Sequence, residues 1–255
     1  MNGNAPATEE SIWAPDYYPL FHCTAGSCRH TCCAGWEIDI DEESLRRWDQ
    51  KEDPFAERVR ACIAREAVPH FALLPGERCP LLREDGLCDM ILCWGAEELC
   101  QICADHPRFR NFWTGRTELG LGLVCEEAAR LILTREAPMR LIRLSGSGRE
   151  RLPREERELM ALRKELFARL SASAPDAPSA RLAEYLVYRH FADALYDSRT
   201  EERIAFIRDA FDAIQSARRD GSVEELTGLC RVFSDRVEYD DEILADLTVP
   251  ADLFG

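Results

Sequence analysis

Eleven of the 12 cysteines fall between Cys23 and Cys125, and four of them, Cys23, Cys28, Cys32 and Cys33, stand within eleven residues. Disulfide partners, zinc ligands, iron–sulfur ligands and catalytic nucleophiles are the chemistries open to so dense a group. Which applies depends on the redox surroundings. Residues 1–18 contain neither a basic n-region nor an apolar h-region, and no window offers the ~18 uninterrupted apolar residues of a membrane span. A soluble, unexported, cytoplasmic protein with no membrane partner is therefore expected. A reducing compartment keeps thiols reduced and turns a dense cysteine pattern toward metal binding or catalysis. With 255 residues, 46% of them hydrophobic, the chain can bury one sizeable core or two smaller ones and does not need disulfides to fold.

Charge narrows the partner. The formal net charge is −15, from 47 acidic and 32 basic side chains, so there is no basic excess to replace the counterions of a phosphate backbone, and nucleic acid is excluded as the main partner. A basic or lysine-presenting protein suits the charge better.

The thiols also divide the chain. Only Cys230 lies beyond Cys125, which assigns the chemistry to the first half and leaves the second as scaffold or partner surface. Leu144-Ser145-Gly146-Ser147-Gly148 reads as a connector, so the expected domains are 1–146, cysteine-rich and cluster-binding, and 147–255, helical. The fold class is mainly α: an irregular cysteine-rich N-terminal half with short helices, then a small helical bundle. A charged helix is expected over 154–170. After a small, proline-containing loop at 171–180, Leu182, Tyr185, Leu186, Tyr188, Phe191 and Leu195 recur at helical spacing. Ile204, Ile207, Phe211 and Ile214 form a second stripe, and Leu226, Leu229, Cys230 and Phe233 continue the pattern over 223–237. The acidic stretch 238–242 reads as a solvated turn. In the first half, Asp41 looks like the cap of a short helix. Phe55, Val59, Cys62 and Ile63 make a helical stripe that puts Cys62 in a core, and 126–135 is helical again.

The remaining sulfurs are Cys79, Cys88, the Cys100-Gln101-Ile102-Cys103 pair and Cys125. C-x-x-C spacing lets two sulfurs converge, and on a helix keeps both on one face. Nine such thiols exceed one zinc site, and iron–sulfur clusters accept irregular loops as ligand sources. The spacing is not the C-x3-C-x2-C of radical adenosylmethionine enzymes, because Cys33 follows Cys32 directly. The expectation is that one of that adjacent pair faces the centre while the other packs, bridges to a second centre or serves as a redox partner.

The order Asp16-Tyr17-Tyr18-Pro19-Leu20-Phe21, Cys23, Cys28, Cys32-Cys33-Ala34-Gly35-Trp36, Cys79-Pro80, Leu87-Cys88, Leu99-Cys100, Cys103, His106-Pro107-Arg108 and Cys125 with Ala128-Ala129-Arg130 resembles the flagellin lysine-N-methylase family over residues 17–133. It resembles, less closely, small zinc- or iron-chelating cysteine-cluster domains. The resemblance implies a bacterial enzyme that transfers a methyl group from S-adenosylmethionine to lysine side chains of flagellin, with a cysteine-ligated iron–sulfur cluster, 4Fe-4S in type, or zinc in its place. By position the family's cysteines fall on Cys23, Cys28, Cys32, Cys33, Cys79, Cys88, Cys100, Cys103 and Cys125. The direct metal ligands are expected among Cys28, Cys32, Cys33, Cys100 and Cys103. The alternative function is a non-catalytic zinc- or iron-chelating or redox-sensing module that docks a protein partner.

Methyl transfer to lysine needs a neutral amine in line with the sulfonium methyl, hence a proton acceptor. Tyr17, Tyr18, Glu118, Glu126 and Glu127 are the candidates, and none is singled out as catalytic. His106 reads as part of a structural turn with Pro107, with ligand or base as the other reading, and His22 and His30 as bystanders. Trp36 is expected to close the cluster pocket against water or, as an equal reading, to serve in a hydrophobic core. No Gly-x-Gly-x-x-Gly follows an apolar strand, and Gly120-Leu121-Gly122 is too short a phrase to mark a dinucleotide-type site.

Overall fold

Alternation appears where the sequence analysis placed none. Along Arg108–Trp113 the even and odd positions differ in burial, Phe109, Asn111 and Trp113 facing inward while Arg110 and Phe112 face out, which is the period of a half-buried strand. In the computed structural model, which describes residues 10–147 and 151–255, this strand opens a hairpin. The elements in chain order are β1 (Ser11–Pro15), α1 (Glu42–Asp49), α2 (Pro54–Ala61), β2 (Ile63–Ala64), β3 (His70–Phe71), α3 (Asp89–Trp94), α4 (Gln101–Asp105), β4 (Arg108–Trp113), β5 (Arg116–Leu121), α5 (Glu126–Leu133), β6 (Leu141–Ser145), α6 (Arg154–Ser173), α7 (Ala177–His190), α8 (Ala194–Asp197), α9 (Thr200–Ala217), α10 (Val223–Phe233) and α11 (Asp241–Asp246). Helix predominates, as expected, with a sheet in addition.

The chain forms two compact units: residues up to Phe21 together with Pro107–Gly255, and His22–His106. The expected boundary at 146 does not coincide with this partition. Its physical reason is strand pairing, since β6 runs antiparallel to β1 and β1 runs parallel to β5, giving the order β4-β5-β1-β6. Gly146 belongs to the same tight edge: its φ is +79°, and a Cβ there would lie 2.7 Å from the Glu10 carbonyl oxygen, so only glycine fits. Gly148 lies outside the described residues.

In this larger unit α7 is buried almost all round, with Leu182, Ala183, Tyr185, Leu186, Val187 and Tyr188 at 0–1% exposure. It packs against α5, α6 and α9, and its polar Arg181, Glu184 and His190 are buried with the apolar side chains. Asp176 starts it by accepting from the Ser179 amide, so the expected loop contracts to the residues between Ser173 and Ala177. α10 does not run uniformly to Val237; it passes into a π-helical turn, Ser234–Glu238. The reading of 238–242 as solvated holds for residues 239–242, which are exposed or half-buried, and is corrected at Glu238 alone. Glu238 is 3% exposed, because its carboxylate accepts from Tyr185 Oη at 2.7 Å and from Ser234 Oγ, and meets His190 Nε2 at 2.9 Å. Burial pushes its pKa up, but these bonds and the His190 and Arg189 charges hold it down at about 2.

The smaller unit, His22–His106, has its own apolar cluster of Ile38, Ile40, Trp48, Val59, Phe71, Leu81, Leu82 and Met90. Asp41 and Asp53 cap α1 and α2 by accepting from backbone amides of the first turn, and Pro54 opens α2, where its missing N–H costs nothing. Cys62, expected in a core, packs against this cluster.

Candidate functional site

Two backbone connections draw distant thiols of the smaller unit together. Ala34 and Arg78 form an antiparallel bridge, and the Cys79 amide donates to the Cys33 carbonyl at 2.8 Å, which sets residues 33 and 79 side by side. Leu82 and Cys88 form a second bridge, and the Asp89 amide donates to the Leu81 carbonyl at 2.9 Å. The third arm is Cys100–Cys103. Cys100 is the N-cap residue of α4, and the start of that helix is held by α1. Asp41 Oδ2 accepts from the Gln101 amide at 2.8 Å, Trp48 Nε1 donates to the Glu98 carbonyl at 3.0 Å, and Arg47 donates to the Leu99 carbonyl at 3.3 Å.

Cys79 and Cys100 are consequently buried inside the apolar cluster, and Cys33, Cys88 and Cys103 pack against it. These five thiols are electrostatic neighbours. Burial pushes Cys79 up to about 12, and the charges of Cys33, Cys88 and Cys100 add to it. Cys88 is raised by burial, and Cys33 contributes. Two pairs share a proton. The Cys32 S–H donates to Cys33 and, against burial and with help from Thr31 and the Arg78 charge, brings Cys33 down to about 7. The Cys103 S–H donates to Cys100, which lowers Cys100 and raises Cys103 steeply. Backbone amides also favour the thiolate form: Leu81 on Cys79, Met90 and Ile91 on Cys88, Cys103 on Cys100.

Sulfur as donor type, the number of thiols and their amide surroundings match what a thiophilic metal or cluster asks for. As the side chains stand, no group of three or more His, Cys, Asp or Glu among the described residues is in position to hold a metal ion, so loading a centre would require these thiols to turn toward one another. What the geometry provides is a nest of reduced thiols packed in and against the apolar cluster, with thiol–thiol hydrogen bonds at Cys32–Cys33 and Cys100–Cys103. Trp36 borders it, packing against the cluster, donating to the Cys32 carbonyl at 2.8 Å and stacking on His106 at 6.4 Å.

Cys23 is exposed and accepts from the Ala25 amide, and the Cys28 S–H donates to the His30 carbonyl within the same loop. Cys125 belongs to the larger unit, where it is the N-cap residue of α5 and packs against that unit's core. Of the proton acceptors considered, three sit in surroundings that give them other roles. Glu118 is fully buried between Arg163, at 2.7 and 2.8 Å, and Arg116, at 2.6 Å. Burial alone would raise it, but the two guanidinium groups lower it, so it is a structural anion. Tyr17 is 2% exposed and raised by burial, which removes it as a relay. Glu127 is paired with Arg130 at 2.6 Å. Asp41, read only as a cap, is the residue missed. Its second role joins α1 to the C-x-x-C helix across the sequence, and no local signal marks it.

With this geometry in place, likeness to known proteins can be weighed. The chain is 26% identical over 132 residues to the lysine-N-methylase of Salmonella typhimurium strain LT2 and to that of Salmonella choleraesuis, a match covering 49% of this chain and 33% of each relative. It is equally identical over 132 residues to the flagellar biosynthetic protein FliU of Salmonella muenchen, covering 78% of that protein. The likeness to lysine-N-methylases is real. The aligned segment spans about half of this chain and a third of the lysine-N-methylases it matches. No protein-family model matches the chain, and no solved structure does. Among the described residues no helix is long and apolar enough to cross a membrane.

Proposed function

We propose that this chain acts as a lysine N-methyltransferase-like protein, with S-adenosylmethionine as methyl donor, flagellin as the lysine-presenting partner and the thiol nest of the smaller unit as its cofactor site. The observation that carries the reading is the gathering of Cys33, Cys79, Cys88, Cys100 and Cys103 around one apolar cluster in a chain similar to proteins named lysine-N-methylase. A thiolate-held iron–sulfur cluster, with zinc as the alternative, would supply redox or Lewis-acid chemistry that side chains lack. The nest itself contributes three things. Neighbouring S–H donors favour the ionised form of Cys33 and Cys100; the remaining thiol protons would be released if the sulfurs bound a metal; and Trp36 would limit the approach of water.

Anaerobic purification followed by the visible spectrum and by iron, sulfide and zinc analysis tests the centre. Brown protein with iron and sulfide near equal is expected, and its loss in C100S and C103S, with retention in C93S, is expected to follow. Transfer of labelled methyl from S-adenosylmethionine to purified flagellin tests the activity. Metal or cluster loading without methyl incorporation would favour the non-catalytic docking module instead, and a metal-free, colourless protein that keeps all its thiols titratable would defeat both.

A further inference from the structure

The larger unit carries a groove of about 540 Å³ between the second half of α9 and the segment that follows α11. That volume is within the roughly 300–1,000 Å³ of sites that take small ligands or a few side chains. Its α9 wall is made by Asp209, Asp212, Ala213 and Ala217. Three- and four-residue steps place these on one helix face, and the alanines leave the space open between the two carboxylates and the opposite wall. Neither Asp209 nor Asp212 has a hydrogen bond or ion pair among the described residues, although most carboxylates lining the same unit are paired. The opposite wall is apolar, including Val249 and Phe254, and it is anchored by Arg236, which donates to the Leu253 carbonyl at 3.1 Å.

A second observation concerns the backbone of that wall. Residues 248–250 have no regular secondary structure, and among the described residues no hydrogen bond reaches the N–H or C=O of Thr248 or Val249. The open backbone groups of Thr248 and Val249 can hydrogen-bond the main chain of a docked peptide, while the groove beside them selects side chains. Apolar wall, paired anionic edge and open backbone together describe a ligand with an aliphatic body, a cationic tip and amide groups. A metal ion would use only the carboxylates, and a polyamine would leave the backbone unused.

We propose that this groove docks an extended protein segment in which lysine or arginine alternates with aliphatic residues, the cation meeting Asp209 and Asp212 and the aliphatic side chains meeting the Val249 and Phe254 wall. The inference concerns docking on the larger unit and is read out without methyl transfer, so it stands or falls separately from the thiol nest.

The test is fluorescence anisotropy of the full chain with fluorescein-labelled Leu-Lys-Val-Lys-Leu amide at low and high salt. Saturable binding that weakens with salt is expected, together with a loss of about five- to tenfold in the D209N/D212N variant and with the norleucine-for-lysine peptide. A217W, which fills the groove, is expected to abolish binding. Both aspartates are exposed, and matching circular dichroism and Tm establish that D209N/D212N is folded. The peptide variant tests the same charge on the unaltered protein. Equal affinity for the norleucine peptide, unchanged affinity in D209N/D212N, or no saturable binding overturns the proposal. So does concentration-dependent dimerisation that A217W removes and the peptide does not compete with, because a second copy would then fill the groove.

Discussion

Replacing Asp41 with alanine removes two functions at once, and their sum can be worked from the bonds. Oδ1 accepts from the Ser44 amide at 2.9 Å and Oδ2 from the Ser44 hydroxyl at 2.8 Å, which is the N-cap of α1; Oδ2 also accepts from the Gln101 amide at 2.8 Å. Loss of an N-cap costs about 1 kcal/mol, and loss of a charge-assisted bond to a backbone amide adds about 1.5 kcal/mol. Part of this returns through water, because the carboxylate is not fully buried. A net loss of about 2 kcal/mol is expected, roughly a thirtyfold fall in the folded-to-unfolded ratio. Urea unfolding followed by tryptophan fluorescence should show a lower midpoint at unchanged slope. Ser222→Ala is the comparison, since Ser222 only caps α10 through the Glu225 amide and should lose about 1 kcal/mol. Amide exchange at Gln101 should accelerate in D41A alone. The Asp41 charge also raises Cys100, so D41N should shift Cys100 alkylation to lower pH while keeping much of the cap. If D41A is no less stable than S222A and Gln101 exchange is unchanged, the bracket between α1 and the C-x-x-C helix does not exist in solution.

Three further predictions concern individual side chains. Glu238 is held at about 2 against an ordinary 4.5, so its contribution is complete above about 4.5 and is lost as pH falls toward 2; the difference amounts to about 3 kcal/mol. Urea midpoints measured down through this range should fall steeply for the wild type and more gently for E238Q, and parallel slopes would refute the assignment. Cys32→Ala removes the S–H donor that lowers Cys33, so iodoacetamide labelling of Cys33 should shift its midpoint from about 7 up toward the ordinary 9.0, read by peptide mass spectrometry; an unmoved midpoint would mean the pair shares no proton. Gly120→Ala should lower Tm by the equivalent of about 1–3 kcal/mol, because the added Cβ would sit 2.1 Å from Phe109 Cζ, and a neutral result would mean that ring is free to move.

Helices with long stripes were legible because burial on one face repeats in the sequence. Tyr185, Leu186 and Tyr188 announce α7, and Phe211 and Ile214 announce α9. Caps were legible for the same local reason, as at Asp41. The sheet was not. β1 is five residues long and pairs with β5 in parallel, so its partners are chosen by non-local hydrogen bonds that no local pattern encodes. β4 and β5 were readable in principle, since Arg108-Phe109-Arg110-Asn111-Phe112-Trp113 alternates and Gly115 follows at positive φ, a hairpin signal. Arg108 and Arg110, with Asn111 on the inward face, break the apolar alternation that would mark the strand. The partition into units departs from the expected boundary for the same reason, because the start of the stretch read as a connector, Leu144 and Ser145, ends the edge strand β6.

Burial of charge is where spacing says least, and it decides which residues are available for chemistry. Glu118 sits in a strand whose neighbours in sequence include Arg116, yet its principal partner is Arg163, on a helix far along the chain; Glu238 lies in an acidic run and is the one carboxylate there placed opposite His190 and Tyr185. A desolvated carboxylate survives only with such partners, and the partners come from tertiary packing. The thiols follow the same rule. Spacing identified Cys100 and Cys103 as a pair, but Cys33, Cys79 and Cys88 join them only through the bridges at Ala34 and Leu82, and those bridges leave Cys23 and Cys28 in an outer loop. Serine replacement therefore separates two roles that spacing treats alike. C79S and C88S should cost metal loading and stability together, because they alter the buried cluster, whereas C23S should leave urea stability unchanged. A C23S variant as unstable as C79S would show that the outer loop belongs to the nest after all.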